Sequence, residues 1–149
     1  MDTIQLPPDF REFLQLLAAK DVRYLLVGGY AVGYHGFPRP TGDMDLWVGP
    51  DRENLARLVE ALHEFGFDMP DVTAELFSGP GAFVQFGRPP LRIDLITAVL
   101  GASFEECYST RVVERLDGVD VSFIDRAQLK ATKRAAGRPK DLADLENLP

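Results

Sequence analysis

The sequence has few of the features that commonly announce a function. Cys107 is the single cysteine in 149 residues. An internal disulfide is therefore excluded, and a reducing, cytoplasmic setting is the expectation. No apolar run approaches the roughly 18–20 residues of a membrane span, and no membrane partner is expected. The opening MDTIQLPPDF lacks a basic region followed by an apolar core, so no secretory signal is read there. Positive charge is also scarce. The net charge of −7 argues against nonspecific nucleic-acid binding by the whole surface. Repeats, low-complexity tracts and linker-like stretches are missing. Neither a P-loop nor a GxGxxG dinucleotide fingerprint is present.

What is present is an ordinary globular composition, 46% hydrophobic and 26% charged, long enough for one domain with a sizeable core. Helical spacing of Phe10, Phe13, Leu14 and Leu17 predicts a helix over Asp9–Lys20. The apolar run Tyr24–Val27 predicts a buried strand. A short helix is expected to start at Gly28-Gly29 and to run through Tyr30–His35, followed by a loop to Gly42 and a second strand, Met44–Val48. Gly49-Pro50-Asp51 reads as a helix start with proline at the first position. Leu55, Leu58, Val59, Leu62 and Phe65 mark that helix's apolar face, and Gly66 its cap. Thr73–Phe77 is a candidate helical turn. Ala82–Phe86 and Leu91–Thr97 read as a hairpin around Gly87-Arg88-Pro89-Pro90. A short helix capped by Ser103 is expected next, then a hairpin turning at Asp117-Gly118. Asp125–Ala136 and Pro139–Asn147 predict two last helices, the second with Leu142, Leu145 and Leu148 on one side. The expected fold class is α+β, an α/β layered arrangement with a mixed sheet flanked by helices. A single domain is read over 1–149, with a helical tail from about 125.

The stretch LLVGGYAVGYHGFPRPTGDMDLWV, Leu25–Val48, concentrates the chemistry. Gly28-Gly29 ends a buried strand and opens a helix, where backbone N–H groups can receive an anion; the plainer alternative is a tight turn without a ligand. Asp43 and Asp45 lie at i and i+2 on a strand and so share a face. Asp94 sits amid Ile93, Leu95 and Ile96. Carboxylates inside a sheet are costly unless paired, solvated or bound to a cation. Mg²⁺ prefers such hard oxygen ligands, and three aspartates on adjacent strands could hold two ions about 4 Å apart for in-line phosphoryl displacement.

Together these residues resemble the nucleotidyltransferase superfamily of polymerase-β type. The pattern is Val27-Gly28-Gly29, thirteen residues, Asp43-Met44-Asp45, and later Ile93-Asp94-Leu95. The wording of the glycine–aspartate stretch and the late GRPKDLADLENL are similar to abortive-infection (AbiEii-like) nucleotidyltransferases and their small relatives, over roughly Tyr24–Leu148. The resemblance implies that Asp43, Asp45 and Asp94 are both catalytic and metal-binding. They would hold two Mg²⁺ ions, with Mn²⁺ able to substitute, and Asp94 would help deprotonate the attacking hydroxyl. Gly28 and Gly29 would cradle the β- and γ-phosphates of a nucleoside triphosphate. Many members have Gly-Ser there, so here only backbone remains to make that contact. The acceptor would be tRNA or a protein hydroxyl, with a small molecule as a further option. A cognate antitoxin or other partner protein would fit a toxin–antitoxin or phage-defence role. The alternative reading is a non-catalytic nucleotide-binding or partner-binding module of the same fold. A two-metal nuclease or phosphatase would also use clustered aspartates, but would release no pyrophosphate.

Supporting residues are Arg39 and Thr41, in the loop before Asp43, and Lys130 and Lys133, in a run of six cations from Arg126 to Lys140. These four are the expected further nucleotide or phosphate contacts. Lys130 and Arg134 share a helical face at i and i+4. His35 reads as a cap or a nucleotide contact, His63 as structural, Trp47 as core, and Cys107 as a buried hydrophobe. Arg138 and Asp141 are candidates to pair.

Overall fold

The computed structural model describes residues 6–38, 40–88 and 91–149. The chain runs α1 (Pro8–Ala19), β1 (Tyr24–Val27), α2 (Gly28–Tyr34), β2 (Asp43–Val48), α3 (Arg52–Phe65), a 3-10 turn (Ala74–Phe77), β3 (Phe83–Arg88), β4 (Leu91–Ile96), α4 (Phe104–Ser109), β5 (Val112–Leu116), β6 (Val119–Phe123), α5 (Arg126–Ala136) and α6 (Pro139–Asn147). The strands form one six-stranded mixed sheet in the order β3-β4-β2-β1-β6-β5. β1 is antiparallel to β2 and parallel to β6, and β2 is parallel to β4. The outer pairs β3–β4 and β5–β6 are antiparallel hairpins. This is the α+β architecture that the sequence implies.

Strand alternation divides the side chains of the central strands between two faces. Leu26, Met44, Leu46 and Leu95 are fully buried and lie on one face. α1 and α3 pack on each other, and α1 also lies against β4 and β6. The core is finished by rings: Phe13 meets Phe65 edge-on, and Phe67 tilts against Phe86. The opposite face carries Leu25 and Val27 of β1, and Asp43, Asp45 and Trp47 of β2. Trp47 is buried against the edge of Phe104, as expected of a core residue.

One buried polar side chain fixes where the two central strands sit. Asn54 is fully buried at the start of α3. It accepts from the Arg23 amide at 2.7 Å and donates to the carbonyls of Arg23 at 3.0 Å and Gly49 at 2.9 Å. The beginning of β1, the end of β2 and the first turn of α3 are thereby joined with every group satisfied.

Several boundaries differ from expectation for local reasons. α3 starts after Asp51, whose carboxylate accepts from the Asn54 amide and caps the helix. Pro50 therefore precedes the cap rather than occupying the first turn. β2 begins at Asp43, so both aspartates of the pair lie within the strand. β3 extends to Arg88, and the Pro89-Pro90 part of the expected turn lies outside the described residues. Ser103 precedes α4 but makes no side-chain cap. In α6 the inward positions are Asp141 and Asp144, and Leu142 points outward, about half exposed. Leu148 is buried and Leu145 half-buried, so of the three leucines only Leu142 departs, where a buried lysine on α5 meets the two carboxylates.

Candidate active site

The sheet register assembles a row of side chains across four strands. Val27 of β1 pairs with Asp45 of β2, Asp45 with Asp94 of β4, and Asp94 with Gln85 of β3. Cross-strand partners share a face, so both carboxylates and the exposed Gln85 amide lie on one side. The next row on that face is Asp43, Arg92 and Gly87. The Asp43–Asp45 pair and Asp94, more than forty residues further along the chain, thus meet near the end of β1 where Gly28 follows.

Arg92 is the principal cation among them. Its Nη2 donates to Asp43 Oδ2 at 2.6 Å and to Asp94 Oδ2 at 3.3 Å, and its Nε donates to Asp94 Oδ1 at 3.0 Å. Asp94 is almost fully buried, Asp43 is partly exposed, and the Arg92 side chain is 29% exposed. Asp45 is left without such a partner. Burial pushes its carboxyl up to about 7; the charge of Asp94, a hydrogen bond shared with Asp94 and the charge of Asp43 push the same way. Lys140, in the first turn of α6, is the cation that opposes this rise.

The glycines are required by contact. Gly28 has φ +66, and a Cβ there would overlap the Asp45 carboxylate. A Cβ on Gly29 would stand 2.7 Å from Thr41 Oγ1. Thr41 in turn donates to the Asp43 carbonyl at 3.2 Å, bracing the loop that leads into β2. Glycine at both positions lets the β1–α2 turn close directly on Asp45 and Thr41.

The donor set fits a divalent cation in kind and in charge. It offers hard carboxylate oxygens with three carboxylates to one guanidinium, and burial together with its carboxylate neighbours raises Asp45. The arrangement is a different matter. Among the described residues no three carboxylate, imidazole or thiol side chains converge on one ion position, and Arg92 already holds Asp43 and Asp94.

The remaining expected contacts divide. Arg39 lies outside the described residues. Lys130 is half-buried on α5. Lys133 is 9% exposed and turned inward, with its ammonium 3.3 Å from Asp141 Oδ1 and 3.0 Å from Asp144 Oδ2. That corrects its expected role: as placed, it joins α5 to α6 and does not present its charge to a phosphate. His35 Nε2 lies 2.7 Å from the Ile124 carbonyl, and burial lowers its pKa, which suits a structural cap. His63 is engaged in the same way with the Val72 carbonyl, and Cys107 is buried. Sequence reasoning missed Arg92 and Gln85, and had Lys140 only as the last of a run of cations. Arg92 was within reach of strand alternation, since residue i−2 shares a face with Asp94. Gln85 needed the β3–β4 register, and Lys140 needed the fold of the last helix.

In sequence, the chain matches no family model and no curated protein. In structure, it is similar to a Thermotoga maritima protein provisionally named a nucleotidyltransferase, known from a crystal structure. The TM-score is 0.65 at 13% identity, and the match covers 95% of this chain and 93% of that one. The likeness extends through nearly the whole chain and establishes a shared fold. No helix among the described residues is long and apolar enough to cross a membrane.

Proposed function

We propose that the chain is a divalent-metal-dependent nucleotidyltransferase, moving a nucleoside monophosphate from a nucleoside triphosphate to an acceptor hydroxyl. The observation that carries this reading is the register of Asp45 with Asp94, with Asp43 two residues away on the same face and Gly28 closing against them. The fold shared with the Thermotoga maritima protein supports it. Asp43, Asp45 and Asp94 would hold Mg²⁺, or Mn²⁺ in its place. The ion would supply charge neutralisation at the phosphates and orient them for in-line attack.

The chain's own residues do the positioning. Gly28 and Gly29 let Asp45 and Thr41 pack against the β1–α2 turn, and the turn's backbone N–H groups would receive the triphosphate oxygens. Asp94 would accept the proton of the acceptor hydroxyl as it attacks the α-phosphate, and pyrophosphate would leave. Lys140 moderates the charge around Asp45, and Lys130 and Arg39 remain candidates for phosphate contact. Catalysis of this kind rests on positioning and electrostatic stabilisation more than on covalent chemistry. The acceptor class is tRNA or a protein. A toxin–antitoxin or phage-defence role, with a partner protein, extends the AbiEii-like wording of the sequence.

Mg²⁺ or Mn²⁺ together with at least one of the four nucleoside triphosphates is expected to raise the melting temperature. The double substitution Asp43→Ala, Asp45→Ala is expected to abolish that shift. Absence of a metal-dependent shift with all four nucleotides would count against the proposal. A second reading, a non-catalytic binding module, is favoured by one observation: Arg92 already neutralises Asp43 and Asp94. Nucleotide or partner binding that survives the double substitution, without transfer to any acceptor, would select it.

A further inference from the structure

We infer that Arg92 is a displaceable counter-cation: its guanidinium holds Asp43 to Asp94 until a divalent ion takes its place, and this exchange sets how tightly the site takes up metal. The inference rests on the proposed metal site and describes how that site is regulated. Arg92 and Asp43 are direct cross-strand neighbours, and Arg92 and Asp94 share a face of β4. A single planar fork therefore reaches both carboxylates with three donated hydrogen bonds, at 2.6, 3.0 and 3.3 Å. Two of the three carboxylates expected to bind metal are thereby occupied by a fixed positive charge. A guanidinium cannot lose its proton to make way, so it must move. Its partial exposure gives it room to do so, whereas Asp94 is anchored in the sheet.

Two consequences distinguish this arrangement from a merely structural ion pair. Removing the guanidinium leaves carboxylates that bind a divalent ion without first breaking its hydrogen bonds, so affinity for metal alone rises. Adding metal to the native chain frees the Arg92 Nε–H from Asp94. Manganese alone, titrated and followed by electron paramagnetic resonance, reads the first without any turnover. Arg92→Gln is expected to bind Mn²⁺ about tenfold more tightly than the native chain, which corresponds to about 1.4 kcal/mol. Arg92→Lys, which keeps the charge but loses the fork, should fall between them.

Equal or weaker binding by Arg92→Gln would overturn the counter-cation role while leaving the metal site standing. No Mn²⁺ binding by either protein, with or without nucleotide, would remove the metal site itself. If the variant fails to fold, the native chain still decides. The Arg92 Nε–H resonance in a ¹⁵N spectrum is expected to exchange with water faster as Mg²⁺ is added; an unchanged rate at Mg²⁺ saturation would overturn the exchange.

Discussion

Two groups of aspartates in this molecule are built on opposite principles. In the tail, Asp141 and Asp144 are almost fully buried and face Lys133, while the Arg138 guanidinium closes on Asp141 at 2.7 Å. Two carboxylates meet two cations. Burial alone would raise Asp141, but its hydrogen bonds from Arg138 and Lys133 prevail and hold it below the usual carboxylate range. On the sheet, one guanidinium serves Asp43 and Asp94, and Asp45, without such a partner, is pushed up to about 7 by burial and by the neighbouring carboxylates. The first group is balanced and joins two helices. The second carries an excess of negative charge that stability alone does not explain. Counting charges that face one another separates the balanced cluster of the tail from the sheet cluster proposed to take a cation.

The comparison can be broken most forcefully in the tail. Lys133→Ala leaves two buried carboxylates facing each other, and urea denaturation should show a loss of about 3–5 kcal/mol. A loss well below 1 kcal/mol would mean that the buried pair is not holding α5 to α6. Next in size is Gly28→Ala, which forces a Cβ into the Asp45 carboxylate at a positive φ. It should cost about 1–3 kcal/mol and remove the melting-temperature response to Mn²⁺ and nucleotide. An unaltered metal response would separate the glycine turn from the aspartates.

Asp45 supplies a prediction with a sign. Its folded pKa, about 7, stands above the ordinary 3.8, so the folded chain keeps a proton that the unfolded chain releases. Its contribution to stability is therefore fully present below about pH 4 and is lost as pH rises through 7. Asp45→Asn should remove this slope and stabilise the protein at pH 8 by about 1–3 kcal/mol. Destabilisation at pH 8 would show that the ionised carboxylate is already compensated, as in the tail. The smallest effect is expected at Asp125, which caps α5 by accepting from the Gln128 amide at 2.6 Å. Asp125→Ala should cost about 1 kcal/mol without altering Mn²⁺ binding; a change in metal binding would tie the tail to the site.

Much of the fold is legible in the sequence because local signals agree with the tertiary structure. The Tyr24–Val27 run, the Asp117-Gly118 turn with both residues at positive φ, and Gly137 ending α5 in the left-handed region are cases in point. α6 is legible in its bounds but not in its whole inner side. Leucine spacing picks out Leu148 and Leu145, but not the buried Asp141 and Asp144 that meet a lysine on another helix. The aspartates of the site could be identified in the sequence because carboxylates are conspicuous among apolar strand residues. Arg92 could not be weighed so easily, since a lone arginine near a turn is common until the β2–β4 register sets it between Asp43 and Asp94. The inward turn of Lys133 and the outward turn of Leu142 belong to one ion-pair network seen from its two ends.

The most direct test is transfer itself. The native protein is incubated with Mg²⁺, each α-labelled nucleoside triphosphate in turn and a cell extract, beside the Asp43→Ala, Asp45→Ala variant. Label from at least one nucleotide is expected to enter RNA or protein with release of pyrophosphate, and to fall by about a thousandfold in the variant. No labelling with any of the four nucleotides, or labelling that the variant performs equally well, would contradict the assignment of the three aspartates.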